Sequence, residues 1–337
     1  MQSHMHAIRK PLSLVKNIIF VFVFIFFYLY KKPKHTLYEI SVIRFLATIH
    51  PLVPKFLARF RSFIINNEKQ KNVSLLNNSE LIFFKEIRCC VKKLSHEGYY
   101  IFEEKLSQNV VEKIKHNLEN LHASSRNDSS INIKVRDDSS LNGIYEYAEK
   151  DLMYYNEELL KLSITSTFHN IANLYFKSVP LFDFLTCWWS FPDKKNNEDF
   201  NAQLFHSDRP RLSFLKFFIY LTNVNLLNGP HVVIPKSHRI RPLKLRFDRR
   251  FTDEEVKKSF KEEGKIIIGD AGTIIAVDTQ CLHKGKSLIK GSRLIAQFQY
   301  ATDFLGQNPN YIHCANLSNE CKKEIFKYPK VFNKFKN

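Results

Sequence analysis

From Pro180 onward the apolar positions come in short runs: Leu181–Trp189, Leu215–Leu221, His231–Ile234, Lys265–Ile268, Thr273–Val277 and Leu294–Tyr300. Turn signals separate them at Asn228-Gly229-Pro230, Gly269-Asp270-Ala271-Gly272 and Lys290-Gly291. Runs of this length between such turns predict strands. Many short strands divided by tight turns predict an antiparallel sandwich or jelly roll, not a parallel α/β sheet. Upstream the period lengthens. HEGYYIFEEKLS reads as a short strand and a turn, and the next stretch as a helix capped by Ser107. Its apolar face is Val110, Val111, Ile114, Leu118 and Leu121. Ala123–Ser130 is rich in Ser, Asn and Asp and reads as a loop, and helical patterning resumes over 151–176.

The first 80 residues follow a different pattern. Ile18–Tyr30 is an unbroken apolar run, extended upstream by Pro11–Val15 across Lys16 and Asn17. A bilayer span needs about 20 apolar residues, and YLYKKPKH offers no small-residue cleavage site for a signal peptide. The run reads as a short span with Lys16 snorkelling or a membrane-embedded hairpin or anchor, with a buried core helix as the alternative. Arg9, Lys10 and Lys16 precede it and Lys31, Lys32 and Lys34 follow, so charge does not orient it. Thr36 and Glu39 have capping-box spacing and open a helix that Pro51 and Pro54 end. A second helix, Lys55–Ile65, sets Phe56, Leu57, Phe60, Phe63 and Ile64 against Lys55, Arg59 and Arg61. That basic amphipathic face suits a membrane interface or packing on the helix's own domain. Asn66–Asn78 reads as a linker. The expected divisions are a basic tail (1–16), a membrane-anchor candidate (17–35), amphipathic helices and linker (36–80), a β domain (81–305) and a basic C-terminal tail (306–337).

Charge narrows the partners. Lys and Arg number 51 against 33 Asp and Glu, a surplus of +18. This points to an anionic partner, or to lysines that are merely solvated. No RNA-binding signature or zinc finger occurs, so nucleic acid is not expected. The six cysteines, Cys89, Cys90, Cys187, Cys281, Cys314 and Cys321, form no C-x-x-C pair or regular framework. They fit a reducing compartment and a packing role.

The candidate chemistry starts at His206-Ser207-Asp208. Side chains alternate along a strand, so His206 and Asp208 share a face. His283 lies downstream before a turn, and Arg293 begins the next strand. Two imidazoles and one carboxylate on one face of an iron leave three positions open, the donor set of non-haem Fe(II) oxygenases. A 2-oxo acid fills two of them, and its far carboxylate needs a fixed cation, for which arginine's planar fork is suited. The final strand alternates Arg293, Ile295, Gln297 and Gln299 with Leu294, Ala296, Phe298 and Tyr300. The first set suits a polar cavity better than a core. Lys216, inside an apolar strand, reads either as facing that cavity or as snorkelling. His231 and His238 read as structural or substrate-side, and Trp188 and Trp189 as core.

HEGYYIFEEKLS, QLFHSD, NGPHVVIPKSHR, GDAGTIIAVDTQCLHKG and GSRLIAQFQY occur in that order. The region they span, about Leu94 to Tyr300, resembles the phytanoyl-CoA dioxygenase family of Fe(II)/2-oxoglutarate-dependent oxygenases. The resemblance covers about two-thirds of the chain, and the first 80 residues fall outside it. It implies a double-stranded β-helix (jelly roll) with flanking helices, a mainly β, α+β fold. It implies His206, Asp208 and His283 as iron ligands and Arg293 as the 2-oxoglutarate anchor, with Gln203 near the co-substrate. Two departures stand out: Lys236 in place of the usual glycine of PGSH, and the small Ser207 between the ligands. With Asp208 present, the resemblance implies hydroxylation rather than halogenation, with release of succinate and CO₂.

The resulting expectation is an Fe(II)/2-oxoglutarate-dependent dioxygenase associated with a membrane, its catalytic domain facing the cytoplasm. It would use O₂, with ascorbate as an accessory reductant, on a small-molecule or lipid substrate such as a lipid, an acyl-CoA or an anionic glycan precursor. The alternatives are an inactive jelly-roll binding or scaffold protein at a membrane and a membrane-surface or nucleic-acid binder driven by charge.

Overall fold

The structure, a computed structural model, describes residues 36–65, 81–137, 140–192, 203–305 and 308–337. The apolar run Ile18–Tyr30, the tail before it and the linker Asn66–Asn78 lie outside the described residues. No helix among the described residues is long and apolar enough to cross a membrane.

Helices α1 (Thr36–Ile49) and α2 (Val53–Ile65) form a hairpin. Pro54 falls within the first turn of α2, where a missing N–H costs nothing, so that helix begins before Lys55. Val42 and Leu46 of α1 pack on Val53 and Leu57, while Ile43 and Ala58 are buried with Leu212 and Leu305 of the β domain. The hairpin therefore rests on the chain's own domain. α3 (Leu81–Glu97) leads through Gly98 into β1 (Tyr99–Ile101), and α4 (Gln108–Leu118) follows, with Ser107 Oγ accepting from the Val110 N–H as the cap. Strands β2 (Ala123–Ser125), β3 (Asn132–Ile133) and β4 (Gly143–Tyr147) come next, then helices α5 (Glu149–Tyr155), α6 (Glu157–Ile164) and α7 (Ser166–Phe176).

The β region comprises β5 (Leu181–Phe191), β6 (Phe214–Tyr220), β7 (His231–Val233), helix α8 (Asp253–Phe260), β8 (Lys265–Ile267), β9 (Ile274–Val277), β10 (His283–Gly285) and β11 (Arg293–Ala301). These strands build an eight-stranded antiparallel sheet, ordered β1-β9-β6-β11-β5-β4-β2-β3, and a smaller sheet ordered β10-β7-β8. An isolated bridge between His206 and His283 adds the His206 segment beside β10. Two facing sheets of this connectivity make the double-stranded β-helix expected from the pattern of short runs.

Alternation along the large sheet separates two environments. On the outer face, Leu215, Phe217 and Ile219 of β6 and Leu294, Ala296, Phe298 and Tyr300 of β11 pack against the helices in the main core. On the inner face, Phe218, Tyr220, Ile275, Val277 and Ile295 meet Val233 and Ile267 of the small sheet. Arg293, Gln297 and Gln299 share this inner face and are buried. Each strand expected after Pro180 is present to within two residues at either end.

Three segments differ from the sequence expectation. The stretch from Ser207 to Ser213, read as strand through Asp208, is coil and bends between the His206 bridge and β6. Ala123–Ser125 is a strand rather than loop, because Ala123 and Ser125 are buried while Ser124 is exposed, and β2 pairs with both β3 and β4. Two small serines give this alternation no apolar signature. The expected basic tail beyond residue 306 is instead part of the main core. β12 (Ile312–His313), α9 (Asn319–Lys327) and β13 (Phe335–Lys336) contribute Ile312, Ile325, Phe332 and Phe335 to it. Its lysines concealed this. Lys334 is fully buried, donating to Glu149 Oε1 at 2.6 Å and to the Asp183 carbonyl at 2.7 Å.

Candidate metal centre

His206 and His283 face each other across two strands. The His206 N–H donates to the His283 carbonyl at 3.0 Å and the reverse bond is 2.9 Å, a hydrogen-bonded antiparallel pair. Their rings therefore project to the same side, with centroids 4.4 Å apart. Each Nδ1 meets a backbone carbonyl at 2.9 Å, Leu204 for His206 and Cys281 for His283. A carbonyl can only accept, so Nδ1 carries the proton and Nε2 presents a bare lone pair. Asp208 is held where its N–H donates to the Thr279 carbonyl at 2.9 Å. Its carboxylate lies 3.7 Å from His206 Nε2 and 3.5 Å from His283 Nε2. The three donor atoms fall within 4.8 Å of one another, the one such group of metal-capable side chains among the described residues.

Electrostatics keep the donors in ligating form. Burial holds His283 down to about 3 and, despite Asp208 nearby, lowers His206 as well, so both imidazoles are neutral near neutrality. For Asp208 burial alone would raise the carboxyl. The Lys216 ammonium outweighs it and holds the group well below the usual carboxylate range. Lys216 donates to Asp208 Oδ2 at 2.7 Å, which settles its direction: it faces the site.

Arg293, at the start of β11, is buried opposite Ser190 of β5. One Nη donates weakly to Ser190 Oγ at 3.3 Å and Nε has no partner. No carboxylate among the described residues pairs with it. A buried guanidinium without an anion is costly, so the arrangement calls for a ligand carboxylate. Gly285 leaves the fork open, since even an added Cβ would stand 3.8 Å from both terminal nitrogens. Gln203 lines the same small cavity with Ser190, Gly285 and Arg293, its Oε1 accepting from Ser287 Oγ at 2.7 Å.

The other histidines and tryptophans singled out in the sequence are structural neighbours of the site. His231 stacks between Phe218 and His283, with centroids 5.1 and 5.5 Å away, and its Nε2 is buried without a partner. His238 lies 3.2 Å from Cys281 Sγ, beneath Gly98. Trp189 stacks on Phe191 in the core, whereas the half-buried Trp188 carries the Arg126 guanidinium 5.5 Å above its ring. Lys236, where the resemblance leads one to expect glycine, sits at φ +64°, a conformation that favours glycine.

Sequence reasoning missed the support beneath the centre. Asp278, which opens the turn leading to His283, is fully buried and receives hydrogen bonds from Tyr175 at 2.5 Å and from Lys55 of α2. Arg209, next to Asp208, donates to the Arg44 carbonyl of α1 at 3.1 Å and to the Arg246 carbonyl at 2.6 Å. Nothing local in the sequence links positions this far apart.

Comparison with known proteins places the chain in a family. No curated protein matches it. Among solved structures, the epimerase SnoN of nogalamycin biosynthesis, in complex with Fe³⁺, α-ketoglutarate and nogalamycin RO, is 13% identical with a TM-score of 0.46, covering 64% of this chain and 84% of that one. EctD from S. alaskensis with bound Fe is 16% identical with a TM-score of 0.44, covering 70% and 80%. HygX from Streptomyces hygroscopicus, with nickel, 2-oxoglutarate and hygromycin B bound, is 12% identical with a TM-score of 0.46, covering 70% and 94%. The family model described as phytanoyl-CoA dioxygenase matches residues 94–288 of the 337. With that match spanning more than half the chain, the protein belongs to the phytanoyl-CoA dioxygenase family and is an Fe(II)- and 2-oxoglutarate-dependent oxygenase.

Proposed function

We propose that the protein is a hydroxylase in which His206, Asp208 and His283 hold Fe(II) and Arg293 anchors the far carboxylate of 2-oxoglutarate. The observation that carries this reading is the convergence of two Nε2 lone pairs and one carboxylate within 4.8 Å, beside a buried arginine with no carboxylate partner among the described residues. The donor set suits Fe(II), since two imidazoles and a carboxylate leave positions for a chelating co-substrate and O₂. When bound, the iron and 2-oxoglutarate supply the oxidising chemistry, with succinate and CO₂ as co-products. The chain's residues supply the geometry. The Leu204 and Cys281 carbonyls fix the imidazole tautomers, Thr279 fixes the Asp208 backbone, and Ser190 steadies Arg293. Gln203, beside Arg293, borders the co-substrate space.

Anaerobic addition of Fe(II) and 2-oxoglutarate should give the visible charge-transfer absorption of the chelate. Arg293→Met should weaken 2-oxoglutarate at least about tenfold while leaving metal affinity nearly unchanged, the loss of a buried charge-assisted anchor. Equal 2-oxoglutarate affinity in wild type and Arg293→Met would remove Arg293 from this role.

The enzyme acts at a membrane surface, on the cytoplasmic side where 2-oxoglutarate and reduced iron are supplied. Supporting this are the apolar run Ile18–Tyr30 and the solvent face of α2, where Phe56 and Phe60 stack 6.4 Å apart, 68% and 49% exposed, beside exposed Arg59. Full-length protein should pellet with anionic vesicles. Protein that stays in the supernatant at low salt would exclude the membrane reading.

A further inference from the structure

The iron and 2-oxoglutarate reading leaves one half-buried cation of the site with donors to spare. Lys216 is the single charged residue of β6, whose outward residues Leu215, Phe217 and Ile219 lie in the main core. It points the other way, on the face shared with Phe218 and Tyr220. Its ammonium donates to Asp208 Oδ2 at 2.7 Å and stands 5.9 Å from the Phe184 ring centroid. An ammonium carries three donors, and among the described residues only Asp208 accepts from it. Its side chain is 13% exposed, so the other donors are within reach of a ligand. Across the sheet, Lys216 is in register with Gln299 of β11, a fully buried side chain whose Oε1 has no partner among the described residues.

Counting charge shows what this cation lacks. Among the described residues, two cations that line the site, Lys216 and Arg293, face one carboxylate, Asp208. The adjoining buried carboxylate, Asp183, is taken by Arg211 through contacts of 2.6 and 2.9 Å and by Gln299 Nε2 at 2.6 Å. Fe(II) brings two positive charges and 2-oxoglutarate two negative ones, so loading the site leaves the sum unchanged. Arg293 then has its carboxylate, and Asp208 is shared with the metal. The surplus positive charge falls on Lys216, in a setting where an unmatched charge is expensive.

We propose that Lys216 binds an anionic group of the prime substrate, a carboxylate or a phosphate-type oxyanion, and so brings the carbon to be oxidised up to the Asp208 side of the metal. This rests on the iron and 2-oxoglutarate assignment above. A lysine suits that role because its compact charge keeps one donor on Asp208 and offers the others to a ligand, which a planar guanidinium would do less readily.

The test uses the full chain loaded with redox-inert Ni(II). 2-Oxoglutarate is titrated first by calorimetry, then inorganic phosphate and, separately, acetate are titrated into the loaded protein. Wild type should bind one equivalent of phosphate or acetate at a site that Lys216→Met weakens by about tenfold or more, with Lys216→Arg partly restoring it. Both variants should still take up nickel and 2-oxoglutarate, so that the anion is titrated into a loaded site. Preference for phosphate assigns a phosphorylated substrate, and preference for acetate a carboxylate. Anion binding that is absent, or identical in wild type and Lys216→Met, overturns the proposal. Loss of nickel affinity in Lys216→Met without any difference in anion binding also overturns it and reduces Lys216 to a support for Asp208. Failure of wild type to bind 2-oxoglutarate at all would instead overturn the underlying co-substrate assignment.

Discussion

Lys55 and Asp278 lie 223 positions apart in sequence and form an ion pair in which the carboxylate is fully buried and the lysine side chain is 11% exposed. Burial alone would raise the Asp278 carboxyl, yet Lys55, His238 and the Tyr175 hydroxyl outweigh it and hold the group below its ordinary value. Asp278 Oδ1 accepts from the Gln280 N–H at 3.0 Å and its carbonyl from the Cys281 N–H at 2.9 Å. The hairpin of α1 and α2, outside the family match, thereby fastens the turn that carries His283.

Removing Lys55 should therefore harm both fold and site. Lys55→Met leaves a buried carboxylate whose remaining hydrogen bonds among the described residues come from Tyr175 and the Gln280 N–H, which should cost about 3 kcal/mol, the low end for breaking a buried pair. Urea denaturation measures it, and nickel affinity should fall with it. A variant as stable as wild type would show that the hairpin is not fastened this way. Removal of the first 80 residues should be at least as damaging, because it also takes the Arg209 contacts to α1.

Gly98 tests the other side of the same turn. At φ +88° it favours glycine, and an added Cβ would collide with Cys281 Sγ and stand 2.7 Å from His238 Nδ1. Its carbonyl accepts from the Asp278 N–H at 2.9 Å. Gly98→Ala should destabilise by about 1–3 kcal/mol from backbone strain alone, and by more with the overlap. Thermal unfolding that matches wild type would contradict this packing.

Acid stability should track a histidine remote from the metal centre. His169 of α7 packs between Tyr328 and Phe332, with centroids 4.4 and 6.0 Å away, and its Nε2 is buried without a partner. Burial first, then Lys327, pull its imidazole down to about 4. The unfolded chain takes up that proton near 6.5 and the folded chain only near 4. Above pH 6.5 the group is neutral in both states and has no effect. Between 6.5 and 4 the unfolded state binds more protons, so stability falls with pH, by about 3 kcal/mol in full. Urea midpoints at about pH 7, 6 and 5 should decline in wild type and less steeply in His169→Phe. Parallel declines would assign the effect elsewhere.

How much of this was legible in the sequence depended on the range of the interaction. The strands after Pro180 were readable because their apolar runs and turns are local. His206 and Asp208 were legible as a close pair, but not by strand alternation: His206 makes an isolated bridge while Asp208 lies outside any strand, held by the Thr279 carbonyl. The face of β11 carrying Arg293, Gln297 and Gln299 was readable from alternation. Ser124 and its neighbours hid a strand, since small polar residues give alternation no contrast. Lys334 and its neighbouring lysines hid a core segment, because burial of a lysine depends on Glu149 and a carbonyl supplied from far away. Lys55 and Asp278 left no signal, as neither has an unusual local setting.

The proposed function centres on an iron site of His206, Asp208 and His283 at which 2-oxoglutarate would be turned over. The most direct measurement is succinate formation from 2-oxoglutarate by the anaerobically purified full chain after Fe(II) and O₂ are added. It would be run beside Asp208→Ala, with bound iron and 2-oxoglutarate read in the same samples. The predicted result is slow turnover in wild type even without the prime substrate, abolished by chelation, and loss of both turnover and bound iron in Asp208→Ala. Wild-type protein that binds neither iron nor 2-oxoglutarate, or Asp208→Ala that turns over like wild type, would contradict it.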